Sequence, residues 1–326
     1  MLRNGKRDGK SKHLTKAKAV LILAILALTI IVSAAAIHYW MTPKISVAKI
    51  GIFYYTWYDP SLEVSWDAKK IIDQPILGFY NSSDPAIIRQ HLVWIEDLGV
   101  DFVVLSWWGF YDDYGKFTEN VVRQVLSITR ESGSNLKIAV MVEPFNQNGS
   151  AYDYATIYNH IYSKFVLPFS SVYYDDAKPL VCFFNNPNLT DSGTIPQDER
   201  FKTVLVGQEP YVQWIYTDLN YYVKPLQNPY TTQVSVTPRY DDSHVRTPSC
   251  VVDADLTEGI YDQEWRNAIQ LLKDGKIDTI MITSWNEYPE RTAIEPHHDA
   301  TTSNLDPWFL YNKTRSHIQE VRLLAK

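Results

Sequence analysis

The chain has 326 residues, a formal net charge of −6 and 13% aromatic residues. That length suits one large domain with a sizeable core, since α/β barrels commonly occupy about 250 residues. The acid excess grows once the basic N-terminal leader is set aside. It excludes a nucleic-acid-binding surface, which needs a basic face.

The leader comes first. Residues 1–18 carry Arg3, Lys6, Arg7, Lys10, Lys12, Lys16 and Lys18 against the single acid Asp8. Residues 19–40 have no formal charge and are almost wholly apolar. As a helix this run rises roughly 33 Å, enough to span a hydrocarbon core. A basic flank stays in the cytoplasm and places the remainder outside it. The rival is a cleaved signal peptide with Ser33-Ala34-Ala35-Ala36 as the processing site. The length of the run and the interfacial pair Tyr39-Trp40 favour a single N-terminal transmembrane helix, a signal anchor. Residues 41–48 then read as a short stalk, and residues 49–326 as the domain that carries function.

Strand-like apolar runs follow at 50–55, 102–107, 137–142, 179–184, 203–207, 212–217, 233–237 and 279–285. Most are nearly continuous in apolar residues, as parallel strands buried on both faces require. Helical patterns separate many of them. Asp84-Pro85 sets an N-cap before a proline at the first helical position, and Gly99 closes the stripe Ile87, Ile88, His91, Leu92, Ile95, Leu98. Phe117, Val121, Val125 and Ile128 repeat the period, as do Tyr261, Trp265, Ala268, Ile269 and Leu272 before Gly275. Asp306-Pro307 opens a last helix to about residue 324. Strands alternating with helices give an α/β fold, and eight of them in this length predict a (β/α)8 TIM barrel. The stretch 185–200, rich in Asn, Pro and Asp, predicts a surface loop. Cys182 and Cys250 either pair or stay free thiols, and no Cys/His spacing matches a zinc site. Asn81, Asn148, Asn188 and Asn312 head Asn-X-Ser/Thr sequons, compatible with export.

Barrel chemistry gathers where strands end at their C-terminal edge. The first run ends in Tyr54-Tyr55-Thr56-Trp57-Tyr58, the second in Ser106-Trp107-Trp108, the third in Glu143-Pro144-Phe145. Asn185-Asn186, Gln208-Glu209 and Asp218 follow, and the seventh run leads into Arg239-Tyr240-Asp241-Asp242. The eighth ends in Trp285-Asn286-Glu287-Tyr288-Pro289-Glu290. Aromatic faces with polar tips suit sugar rings, and two acids behind one strand supply both halves of acid/base chemistry. Glu287 and Glu290 are therefore the candidate catalytic pair, one protonated and one ionised. Spacing does not say which is which, and an exposed pair held by Arg291 is the bland alternative. Glu143 contacts substrate or pairs with a neighbouring base. Trp107 and Trp108 alternate across their strand, so one faces inward and the other outward. Arg239 positions substrate or pairs with Asp241. His297-His298 sit too close in sequence to chelate a metal together. Asp253-Ala254-Asp255 has the spacing of some metal-dependent glycosyltransferases, which keeps that activity open beside a non-catalytic carbohydrate-binding barrel.

These segments, in this order, resemble glycoside hydrolase family 99, the endo-α-mannosidases, and its related barrels. The most specific is 282–296, Ile-Thr-Ser-Trp-Asn-Glu-Tyr-Pro-Glu-Arg-Thr-Ala-Ile-Glu-Pro. The resemblance implies a retaining endo-acting hydrolase of internal α-mannosidic bonds in an oligosaccharide or glycan, working through a 1,2-anhydrosugar. Carried over by position, Glu287 removes the 2-hydroxyl proton, and Glu290 protonates the leaving oxygen and then activates water. Tyr54, Tyr55, Trp57, Trp107, Trp108, Glu143, Arg239, Tyr240 and Asn286 become expected substrate contacts. No metal or organic cofactor is implied. The family has Trp-His between its two acids and Gly after the second; here Tyr288-Pro289 and Arg291 stand in those places. If its side chain meets Glu290, Arg291 lowers the pKa of that acid.

Overall fold

The computed structural model describes residues 48–61, 66–67, 69–144, 153–175, 177–184, 196–206, 233–302 and 304–324, together with residue 29. The chain divides into two units, Met1–Lys44 and Ile45–Lys326, and everything below belongs to the second. Apart from Thr29 and Ala48, the expected anchor at 19–40 and stalk at 41–48 lie outside the described residues. Among the described residues no helix is long and apolar enough to cross a membrane.

Seven parallel strands form one curled sheet: β1 (Lys49–Tyr54), β3 (Phe102–Trp107), β4 (Lys137–Val142), β5 (Leu180–Phe184), β6 (Lys202–Val206), β7 (Gln233–Val236) and β10 (Thr279–Ile282). Their spatial order, β6-β5-β4-β3-β1-β10-β7, is the chain order wrapped around so that first and last strands meet. Lys49 to Ile52 of β1 pair with Thr279 to Ile282 of β10, while Gly51 to Tyr54 pair with Phe102 to Leu105 of β3. Seven of the eight expected runs are thus strands of one sheet. The remaining run, 212–217, lies outside the described residues.

Period-two alternation splits the strand residues between two apolar layers. Ile50, Ile52, Tyr54, Val103, Leu105, Trp107, Ile138 and Val140 pack outward, against the helices. Phe53, Tyr55, Phe102, Val104, Ala139, Met141, Cys182, Val204 and Met281 form a second cluster on the concave side. Gly51 belongs to that side, where an added Cβ would lie 2.4 Å from both Met281 Sδ and Phe102 Cζ.

The helices form as their caps dictate. In α1 (Pro85–Leu98) the Asp84 carboxylate accepts from the Ala86 N–H, and Gly99 ends the helix at φ 87°, a left-handed conformation that glycine adopts without Cβ strain. The side chain of Asp112 caps α2 (Asp113–Ser132). After these come α3 (Tyr154–Ile161), running into a wider turn at Tyr162–Val166, then α4 (Ile260–Lys273) and α5 (Phe309–Leu324). Two short ribbons complete the domain. Strand β2 (Gln74–Pro75) pairs antiparallel with β11 (His297–His298), and β8 (Tyr240–Asp241) with β9 (Val251–Val252).

Candidate active site

The segment after β10 delivers two acids because it folds back on itself. Trp285 N–H still bonds to Phe53 O at 2.8 Å, but Ser284 N–H turns to Thr292 O, and Thr292 N–H to Glu287 O at 3.1 Å. This closes residues 284–292 into a compact loop. The Glu287 N–H donates to Ser284 Oγ at 2.8 Å, which fixes the acid's backbone. Asn286 anchors the loop to β1: its Oδ1 accepts from Tyr55 N–H at 2.7 Å and its Nδ2 donates to Tyr55 O at 3.0 Å. Behind Asn286 runs a buried polar chain. Tyr80 OH donates to Glu295 Oε2 at 2.8 Å, Glu295 Oε1 bonds His91 Nε2 at 3.0 Å, and His91 Nδ1 bonds Tyr54 OH at 2.9 Å. Every polar group in that chain has a partner, so it rigidifies the floor rather than offering chemistry.

The strand ends surround a cavity of about 370 Å³ lined by Tyr55, Trp57, Trp108, Glu143, Pro144, Phe184, Val245, Arg246, Glu287, Pro289 and Glu290. Three carboxylates and four aromatics from five separate segments meet there. Trp57 lies 4.3 Å from Tyr55 and 6.0 Å from Trp108, ring centre to ring centre, so the aromatics make one continuous wall. Such a wall suits the apolar faces of a sugar, and the acids suit its hydroxyls.

The three acids sit in unequal surroundings. Burial pushes Glu143 up to about 8, partly opposed by the Ser106 hydroxyl that donates to its Oε1 at 2.8 Å and reinforced by the charge of Glu290. Burial also drives Glu287 well above the usual carboxylate range, and the charges of Glu290 and Glu143 add to the effect. Among the described residues its Oε2 has no hydrogen-bond partner. Glu290 instead meets a cation: Arg246 Nη2 lies 2.5 Å from its Oε1. Burial thereby favours the neutral form of Glu287, while Glu290 has a guanidinium against it.

Comparison with known proteins points to one family of glycosidases. Residues 65–207 match the model of glycosyl hydrolase family 99. Glycoprotein endo-alpha-1,2-mannosidase of Xenopus laevis is 26% identical over 318 residues, covering 76% of this chain and 69% of that protein. A glycoprotein endo-alpha-1,2-mannosidase-like protein of Danio rerio is 30% identical over 126 residues, and the chain spans only 28% of its length. The GH99 endo-alpha-mannosidase from Bacteroides thetaiotaomicron superimposes with a TM-score of 0.63 at 20% identity, covering 85% of this chain and 98% of that one. The chain is thus similar to glycoside hydrolase family 99 and shares the fold of its solved member.

Of the expected site residues, the fold brings seven to the cavity or its floor. Glu287, Glu290, Glu143, Tyr55, Trp57 and Trp108 all line it. Asn286 supports it from below. Tyr54, Trp107, Arg239 and Tyr240 do not line it. Tyr54 and Trp107 point outward by strand alternation, Tyr54 to His91 and Trp107 to Phe110, His160 and Phe165. Tyr240 accepts from Arg246 and donates to Asp242. The pairing of Arg239 with Asp241 is replaced by contacts to Asp73, Asp299 and the Arg291 carbonyl. Phe145, Asn185, Asn186, Gln208, Glu209 and Asp218 lie outside the described residues.

Arg291 does not lie against Glu290 as a local reading suggests. Its backbone has φ 58°, the left-handed region where the resemblance leads one to expect glycine. Its side chain turns away, forking onto Asp73 at 2.8 and 3.0 Å and reaching Asp241 at 3.1 Å. That bidentate pairing opposes the backbone strain of the missing glycine. Burial works against ionising Asp73, but hydrogen bonds from Arg291 and the charges of both arginines outweigh it and keep its carboxyl below the ordinary range. His297 joins the cluster through Arg239 Nη2 at 3.2 Å, so the guanidinium groups answer the acids there. Asp253 accepts from the Glu258 and Ile260 N–H groups at the start of α4, and Asp255 accepts from Thr257. Neither acid of that motif lines the cavity. Both cysteines are free thiols. The residue that sequence reasoning missed is Arg246. Its one local signal is Asp242 four positions earlier, which gives no hint of Glu290.

Proposed function

We propose that the chain is an endo-acting glycoside hydrolase that cleaves α-mannosidic, α-1,2-linked bonds in glycans with retention of configuration. The observation that carries this reading is the meeting of Glu143, Glu287 and Glu290 with Tyr55, Trp57 and Trp108 around one cavity. The relatives' names supply the choice of α-mannose. The seven parallel strands of the described residues, curled in chain order, support the reading of the domain as a (β/α)8 barrel.

The reaction runs through the sugar's own 2-hydroxyl. Glu287 takes that proton and the freed oxygen attacks the anomeric carbon. The glycosidic bond breaks as Glu290 gives its proton to the departing oxygen, leaving a 1,2-anhydrosugar. In the second half Glu290, now ionised, takes a proton from water. The water oxygen bonds to the anomeric carbon, and O2 regains its proton from Glu287. Two inversions give net retention. Glu143, neutral at physiological pH and held by Ser106, hydrogen-bonds a sugar hydroxyl, and the aromatic wall covers the ring faces. These steps call on no metal or organic cofactor.

The basic leader at 1–18 and the apolar run at 19–40 tether the domain to a membrane on its extracytoplasmic side. Protease protection of intact vesicles tests that topology. A panel of α-mannose oligosaccharides and other α-glycans tests the activity. Cleavage of an internal α-1,2-mannoside by the native chain, lost in Glu287→Gln and Glu290→Gln, supports the reading. A folded chain that cleaves none of them removes it.

A further inference from the structure

One wall of the cavity is a hairpin arm. Strands β8 and β9 form its base, and residues 242–250 form its tip, with Val245 and Arg246 turned into the cavity. The tip is internally braced. Val245 and Arg246 N–H groups both donate to Asp242 O at 2.9 Å, and Cys250 N–H donates to Asp242 Oδ1 at 2.6 Å. Arg246 then reaches three partners. Its Nη1 donates to Tyr240 OH at 2.7 Å and to Asp242 Oδ2 at 3.2 Å, while its Nη2 holds Glu290 Oε1 at 2.5 Å.

Two features make this more than a surface ion pair. The Arg246 side chain is 51% exposed while that of Glu290 is 9% exposed, so the cation enters from solvent onto a nearly buried acid. Asp242, itself buried, already receives the same guanidinium on another nitrogen and stands ready to keep it if Glu290 lets go. The acid's own task requires release. A carboxylate clamped by a guanidinium is a poor proton donor, and the proposed first half of the reaction needs Glu290 protonated.

We propose that Arg246 is a positioning residue that latches the hairpin to Glu290. It keeps this carboxylate ionised until substrate enters, then swings onto Asp242, so that Glu290 receives the proton it passes to the leaving oxygen. The proton comes from Glu287, the neighbouring acid that burial keeps neutral. The pair therefore carries one proton before and after the swing, and Arg246 keeps its own throughout. The latch rests on the reading of Glu290 as the acid given above. The groups facing Glu290 are Arg246, Tyr240 and Asp242 from the hairpin, Glu287 from its own loop, Glu143 after β4 and Tyr55 after β1. Arg246 is the one cation among them.

The test is the titration of Glu290 in the full chain, followed by carboxyl-carbon NMR with labelled glutamate and assigned through Glu290→Gln. Arg246→Gln raises the Glu290 midpoint by about one pH unit, a tenfold change, and Arg246→Lys largely restores it. Asp242→Asn leaves the guanidinium to Glu290 alone and lowers the midpoint, a second readout if Arg246→Gln fails to fold. An unchanged midpoint in Arg246→Gln, or a raised one in Asp242→Asn, overturns the latch. In turnover, Arg246→Gln moves the alkaline limb of kcat/KM upward by the same amount. An alkaline limb that stays put while the titration moves overturns the acid role of Glu290. A native chain that hydrolyses nothing overturns the enzymatic reading on which the swing depends, while the titration still decides whether Arg246 holds Glu290 ionised.

Discussion

Two clusters of buried charge hang from the same stretch of chain and are built on opposite rules. Around Asp73, Arg239, Arg291 and Asp299, each buried acid is answered by an arginine, and the guanidinium hydrogen bonds are shared out with little left over. Around the cavity, three glutamates face one another and, among the described residues lining it, meet one half-exposed cation. The first arrangement costs desolvation and recovers it through pairing, so it fixes one loop geometry. The second leaves like charges close together, which forces protons onto some of them. A region meant only to hold its shape has no use for that. The less compensated cluster is where the proposed chemistry sits, and the compensated one fixes the loop that carries Glu287 and Glu290.

The comparison breaks most visibly if activity does not follow it. Glu287→Gln and Glu290→Gln should each lower turnover on an α-1,2-mannoside by about 10²–10⁴-fold, since each removes a proton-transfer group. Glu287→Gln should lower thermal stability little, because an amide replaces a carboxyl that burial already holds neutral. A large loss of melting temperature in Glu287→Gln would make the cavity acids structural and erase the contrast.

Removing Asp73 should do the reverse. Asp73→Ala strips Arg239 and Arg291 of their shared partner and should cost about 3–5 kcal/mol in urea unfolding, as breaking buried ion pairs does. The core supplies a smaller effect to calibrate against. Gly51→Ala pushes a methyl group against Met281 and Phe102 on the concave side and should cost about 1–3 kcal/mol.

The smallest effect concerns pH. Burial raises the Glu143 carboxyl from its ordinary 4.5 to about 8 in the fold. Between those values the folded chain holds a proton that the unfolded chain has lost, so this group makes stability fall as pH rises through that window. Glu143→Gln should abolish that contribution. Melting temperatures of native and variant chains should agree near pH 4.5 and diverge toward pH 8, with the variant the more stable. Equal pH dependence in both would place Glu143 outside the less compensated cluster.

Much of the fold was legible because its signals are local. The strand at 102–107 is six apolar-rich residues with turns on either side, and Asp84-Pro85 and Gly99 bound their helix by cap chemistry alone. The end of the last strand was less so. Apolar residues continue to Trp285, but the strand ends at Ile282, because the next residues fold back to Thr292. At the site, alternation correctly separates Trp108 from Trp107, yet the pattern of aromatics does not say that Tyr54 belongs to the outer layer until the register is fixed. Arg246 and Asp73 were beyond reach. Their partners lie 44 and 218 residues away, at Glu290 and Arg291, and nothing in a single sequence records a charge pairing over that distance. Arg291 shows the opposite error: adjacency to Glu290 suggests a contact, and a left-handed backbone turns the side chain elsewhere.

The measurement that bears most directly on the central claim is proton NMR of the first sugar released from an internal α-1,2-mannoside, recorded before mutarotation. If Glu287 and Glu290 drive two successive inversions in this cavity, the first-formed product is the α-anomer. A β-anomer, or no product from a folded chain, would contradict the account.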